Sequence, residues 1–120
     1  PDDPAVWATW AYALHLTGRD DEAARAYRVA LHLDSENTDV RFGLANIYLA
    51  QGQRDAALRE YERVLDSDSS NVAAWINTGI AYAQSGDSEA AQQAWRKALH
   101  FDPQNQAARS YLARLQPRVR

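Results

Sequence analysis

The sequence predicts an all-α fold: a solenoid of three antiparallel helix pairs closed by a seventh helix. Three observations carry that expectation. The chain repeats itself at a strict interval of 34 residues, each period is interrupted twice, and the runs between interruptions space their apolar residues at helical rather than strand intervals. The stretch YRVALHLDSEN, Tyr27 to Asn37, returns as YERVLDSDSSN at Tyr61 and as WRKALHFDPQN at Trp95. Gly18, Gly52 and Gly86 form one column, as do Asp34, Asp68 and Asp102, and Asn37, Asn71 and Asn105.

The elements follow from that punctuation. A first helix near 5–17 starts behind Pro4, whose fixed φ and missing N–H suit a first turn, and stops at Gly18. The next, near 20–33, opens on Asp20, Asp21 and Glu22, acids that favour the positive end of a helix dipole. Helices near 38–51 and 72–85 follow Asn37 and Asn71, whose side chains accept from an orphan amide of the first turn, and they end at Gly52 and Gly86. Helices near 54–67 and 88–101 complete the second and third pairs, with Pro103, in the column of Ser35 and Ser69, blocking continuation. The seventh, near 106–116, follows Asn105. Repeats therefore run at about 4–37, 38–71 and 72–105 within a single domain of residues 1–120. Ala23, Ala57 and Ala91, with Ala11, Ala45 and Gly79, allow close backbone approach, and Tyr27, Tyr61 and Trp95 fill the space toward the next repeat.

The unit resembles the tetratricopeptide repeat. Its third copy places Trp75, Gly79, Tyr82, Ala91, Trp95 and Pro103 on the pattern W-x2-L-G-x2-Y…A-x3-F…P, with Thr78 in place of the leucine. The second copy starts with Arg41 but keeps Leu44, Tyr48, Ala57 and Tyr61, and the first has Trp7, Ala23 and Tyr27 with Trp10 and Leu14 as apolar substitutes. The resemblance implies a right-handed superhelix whose first helices line a concave groove that takes a peptide or protein segment. Pro1 falls one period before Ser35, so PDDPAVW reads equally as the tail of a preceding repeat or as an N-terminal cap.

Once Trp7, Trp10, Leu44, Trp75 and Tyr82 are assigned to packing columns, the first helices still carry Ala8, Tyr12 and His15, then Phe42, Asn46 and Leu49, then Ile76, Ile80 and Ala83. Each trio is spaced i, i+4, i+7 and shares a face. A solvated face would carry Lys and Glu, so these residues are candidates for a partner-binding groove. Asn46 and Asn77 could both donate to and accept from the main chain of a ligand. The resemblance adds that asparagines in these columns clamp a terminal carboxylate in some family members. The basic partners of such a clamp would fall near Phe42 and Tyr111, neither cationic, which leaves Arg114 as one candidate charge.

Catalytic chemistry finds no constellation, and no enzyme, cofactor or metal site is expected. His32 and His100 share a surface column, His15 has no sequence-defined carboxylate partner, and SGDS at Ser85 to Ser88 is an inter-helix turn repeated as TGRD and QGQR. The absence of cysteine removes disulfides and thiolate ligands. A net charge of −3 with interspersed signs argues against nucleic acid as partner, the clustered exception being Arg109, Arg114, Arg118 and Arg120 near a helix C-terminus. No apolar run approaches the roughly 20 residues of a membrane span, so no membrane insertion is expected. An opening on Pro1 without methionine suggests a fragment of a longer, soluble protein. Twelve Arg against one Lys suggest a GC-rich bacterial genome, with the compartment open and the cytoplasm favoured. The leading expectation is a module that binds a peptide or protein in its groove. The alternatives are a self-associating scaffold and a docking or regulatory segment of a larger enzyme.

Overall fold

In a computed structural model of the chain, residues 2–115 are described; Pro1, Gln116, Arg118 and Arg120 lie outside them. Those residues form seven helices and no strand: α1 Pro4–Leu16, α2 Asp20–Leu33, α3 Thr38–Ala50, α4 Arg54–Ser67, α5 Val72–Gln84, α6 Ser88–Phe101 and α7 Gln106–Leu115. The first helix of each pair ends one residue earlier than expected, because Thr17, Gln51 and Ser85 act as C-caps.

Local chemistry sets these boundaries. Asn37, Asn71 and Asn105 accept at Oδ1 from the amides of Val40, Ala74 and Ala108, each at 3.0 Å. Asp3 caps α1 in the same column, accepting from the Ala5 amide at 2.9 Å, with Pro4 in the first turn. At the other end Gly18 takes φ +79°, and the Arg19 amide reaches back to the Leu14 carbonyl at 2.8 Å, the six-to-one bond of a left-handed helix stop. Gln53 to Tyr48 and Asp87 to Tyr82 repeat that bond at 2.9 Å.

The helices stack in sequence into a row with principal extents of 59 × 26 × 21 Å. Successive first helices also approach one another, α1 to α3 and α3 to α5, while α2, α4 and α6 stand further apart. The first helices therefore form the inner side of the row and the second helices the outer side. Three apolar clusters run along it, with Ala11, Ala23, Ala45, Ala57 and Ala91 fully buried where helices cross. Close approach is tightest at Gly79, where a Cβ would collide with the Trp95 indole. Trp95 donates to the Ile76 carbonyl at 3.1 Å and stacks on Tyr111 at 5.0 Å, which seats α7 on the third pair.

One packing expectation is corrected. Trp10, assigned to a packing column, is 51% exposed. It lies on the α1 face whose counterparts in α3 and α5 are covered by α2 and α4, and among the described residues no helix precedes α1.

Candidate binding site

The residues singled out from the sequence lie on α1, α3, α5 and α7, and they differ in availability. On α1, Tyr12 is 56% exposed, Ala8 packs against the first cluster, and His15 is half-exposed. His15 is not partnerless as expected: its Nδ1 lies 2.7 Å from Oδ1 of Asp20, across the turn into α2, so the imidazole is tethered to the base of the next helix. On α3 and α5, Phe42, Leu49, Ile76 and Ile80 are half-buried and packed against the second and third clusters. Phe42 was expected to point away from the packing columns, but its ring lies 6.0 Å from that of Tyr61, and all four side chains rest partly on the core. The physical reason is the second helix of each pair: Tyr61 and Val64 of α4 and Trp95 and Ala98 of α6 belong to the clusters on which these side chains pack.

The two asparagines form one device. Asn46 Oδ1 accepts from the Tyr61 hydroxyl at 2.5 Å and from Asn77 Nδ2 at 2.9 Å, which links α3, α4 and α5 through a single oxygen. With both donors aimed at that oxygen, Asn46 Nδ2 and Asn77 Oδ1 have no partner among the described residues, and neither is a buried unsatisfied atom. Both therefore reach solvent. Tyr61 is fully buried, and burial raises its hydroxyl pKa, opposed in part by a hydrogen bond from Asn77. Tyr61 thus stays a neutral donor that fixes Asn46 in one orientation. At the far end, the Arg114 guanidinium lies 5.7 Å from the centre of the Tyr111 ring, itself stacked on Trp95.

Sequence reasoning missed a second feature on the outer side. A groove of about 540 Å³ opens between α4 and α6 with α5 as its floor, lined in part by Leu58, Leu65, Trp75 and Tyr82. Its signal was the departure of Thr78 from the expected leucine, which leaves space in the column that Leu44 fills one repeat earlier. Among the described residues no cluster of three or more His, Cys, Asp or Glu is placed to hold a metal ion, and no helix is long and apolar enough to cross a membrane.

Helix pairs repeated in a row, with side chains of successive first helices brought onto one face, define a helical-repeat scaffold. A tetratricopeptide repeat family model matches residues 42–106 and 78–116, and a second, described as TPR repeat, matches residues 11–52. The chain belongs to the tetratricopeptide repeat family, whose members are generally non-catalytic protein-interaction modules. No curated protein is similar at a significant level. Among solved structures, the TPR domain of Arabidopsis OM64 superposes with a TM-score of 0.90 at 23% identity, covering 93% of each chain. The first TPR of Spaghetti (RPAP3), bound to the HSP90 peptide SRMEEVD, has a TM-score of 0.90 at 19% identity over 94% of this chain and 90% of that one. The Yersinia enterocolitica type III secretion chaperone SycD, in complex with a peptide of the translocator YopD, has a TM-score of 0.87 at 17% identity over 92% and 90%. At these identities the likeness establishes the fold.

Proposed function

We propose that the chain is a peptide- or protein-binding module that uses the inner face of α1, α3, α5 and α7. The observation that carries this reading is the fixed pair of free amide groups, Asn46 Nδ2 and Asn77 Oδ1, one donor and one acceptor held by the Tyr61 network on that face. A main-chain segment offers the complementary acceptor and donor, and because the protein groups are already oriented, little side-chain entropy is lost on binding. The outward edges of Phe42, Leu49, Ile76 and Ile80, with the exposed Tyr12, supply apolar contact. That two similar folds are described with bound peptides agrees with the reading. The positions of Phe42 and Tyr111 provide no cation, so the segment is recognised through its main chain and apolar side chains rather than through a terminal carboxylate, with Arg114 contributing at most one charge. A net charge of −3 favours a protein over a nucleic acid as partner.

The test is selection from a random peptide display library, then calorimetry on the selected peptide. Asn77→Ala should weaken binding by roughly 1 kcal/mol, the worth of one neutral hydrogen bond. Tyr12→Ala should weaken it without lowering the melting temperature, since that ring is mostly outside the core. If neither substitution changes the affinity of any selected peptide, the inner face is not the site. Concentration-dependent sedimentation of the chain alone would favour the self-associating scaffold instead.

A further inference from the structure

We propose that the outer groove between the second and third repeats is a separate binding site. It takes a protein segment that inserts one large apolar side chain over Trp75 and Tyr82 and carries a cation toward α4 and a carboxylate toward α6. The proposal is independent of the inner face, because the groove is floored by the opposite side of α5 and walled by second helices.

The chain contains its own control for this groove, 34 residues earlier. At the junction of the first and second repeats, the position of Trp75 is held by Arg41, which donates to Glu60 Oε1 at 2.7 Å and to the Ser35 carbonyl at 2.9 Å. Both side chains of that ion pair are only 15% exposed, so the pair fills the junction instead of lying on it. The position of Glu62 is held by Arg28, which donates to the Tyr48 hydroxyl at 3.2 Å. The position of Thr78 is held by the buried Leu44.

At the second junction each of these fillings is missing. Ala94 stands where Glu60 would pair, the Tyr82 hydroxyl has no donor among the described residues, and the Thr78 hydroxyl is turned to the Ala74 carbonyl of its own helix at 2.7 Å. Trp75 is nevertheless fixed, its indole N–H donating to the Ser69 carbonyl at 2.8 Å, so the ring forms a rigid wall. An open space lined by rigid aromatic and aliphatic groups favours a large apolar side chain.

Charge selects what flanks that anchor. Glu62 and Asp66 stand one helical turn apart on the α4 rim, and Lys97 stands on the α6 rim beside Arg96 and His100, which line an adjoining depression. Glu62, Asp66 and Lys97 make no ion pair among the described residues. The groove therefore presents an acidic wall and a basic wall that do not neutralise each other, and a segment with the reverse arrangement matches both.

The experiment uses the 120-residue chain and three synthetic amphipathic helical peptides that share one tryptophan-centred apolar stripe. Their flanks are mixed basic and acidic, all acidic, or all basic. Amide chemical shifts report the location and calorimetry the affinity. The mixed peptide should shift the Trp75 and Tyr82 amides and bind at least tenfold more tightly than the other two. Glu62→Lys with Asp66→Lys, both on the surface, should transfer the preference to the all-acidic peptide. Trp75→Arg with Ala94→Glu, which installs the filling seen at the first junction, should weaken the mixed peptide at least tenfold with the melting transition retained. The proposal fails if no peptide shifts the groove amides at millimolar concentration. It also fails if shifts fall on Asn46 and Asn77 instead, or if the charge reversal leaves the ranking of the three peptides unchanged.

Discussion

The two ends of the row are finished in opposite ways. Val40, Ala74 and Ala108 occupy one column of α3, α5 and α7, and each is buried under the second helix that precedes it. Val6 holds that column in α1 and is 49% exposed, with Trp10 one turn further along the same open face. The other end is closed: Tyr111, Leu112 and Leu115 of α7 cover the cluster of Ala91, Trp95 and Ala98, while Arg109, Ser110, Ala113 and Arg114 are exposed. A first helix in this array therefore has two apolar faces, one for its own partner and one for the helix before it. In α1 the second face is apolar, and among the described residues no helix covers it. In α7 the face that a following helix would use is mostly polar, as expected of a capping element.

Removing α7 should have the largest effect on this contrast. A chain ending at Asn105 loses the stacked partner of Trp95 and exposes the third cluster, which should lower stability by roughly 3–5 kcal/mol. Chemical denaturation of the shortened chain measures it. An unchanged midpoint would show that α7 is not a cap and would remove the distinction between the ends.

Substitutions in one column sharpen the comparison next. Leu44→Ala should cost about 2–5 kcal/mol, since the side chain is buried between α2 and α3. Trp10→Ala, at the same column in the open face, should change stability by no more than about 0.5 kcal/mol. Should Trp10→Ala prove as costly as Leu44→Ala in denaturant titrations, that face is covered in solution. Sedimentation at the same concentrations would then show whether a second copy covers it.

The repeat, the helix boundaries and the caps were legible because they depend on neighbours in sequence. Asn37 accepts from the amide three residues on in the helix it caps, and Gly18 follows the C-cap Thr17 of the helix it ends, so the pattern carries the geometry. The site was legible only as a set of columns. Asn46 and Asn77 could be named, but that one oxygen of Asn46 serves Tyr61 and Asn77 depends on packing between helices 15 and 31 residues away. The half-burial of Phe42, Leu49, Ile76 and Ile80 was hidden for the same reason, since i, i+4, i+7 spacing defines a face without saying how close the next helix stands. The pairing of His15 with Asp20 was accessible in principle, because a tight turn at Gly18 brings positions five apart together.

Alkaline titration compares the middle of the row with its open end. The hydroxyl pKa of fully buried Tyr61 is raised above its ordinary value of 10, whereas Tyr12 on α1 is mostly exposed. Above pH 10 the unfolded chain loses the Tyr61 proton while the folded chain keeps it, so the unfolded state binds fewer protons and stability falls as pH rises. The expected slope from this one group is about 1.4 kcal/mol per pH unit until the folded value is reached. Tyr61→Phe should reduce the alkaline slope measured by urea titrations at pH 10 to 11.5, and by more than Tyr12→Phe, which acts on the slope only through the raised hydroxyl pKa of Tyr27. Equal slopes in all three proteins would contradict the burial of Tyr61.

The smallest expected difference concerns two caps in one column. Asn71 accepts from the Ala74 amide at the start of α5, a helix held on both sides by α4 and α6. Asp3 accepts from the Ala5 amide at the start of α1, which α2 and α3 hold on one side while Val6 and Trp10 face solvent. A cap contributes to global stability only as far as its first turn must be intact in the folded state. Asn71→Ala should therefore cost about 1 kcal/mol, because the amides of α5 cannot fray without opening the seam to α4. Asp3→Ala should cost roughly 0.3 kcal/mol, because the first turn of α1 can open locally while the rest stays folded. Hydrogen exchange separates the two cases more finely than denaturation. After Asp3→Ala the first amides of α1 should exchange faster with the remaining protection pattern unchanged, whereas Asn71→Ala should speed exchange across α4 and α5 together. Equal global losses from both substitutions would mean that the start of α1 is held as firmly as the start of α5, so that the open face of α1 leaves its local stability unchanged.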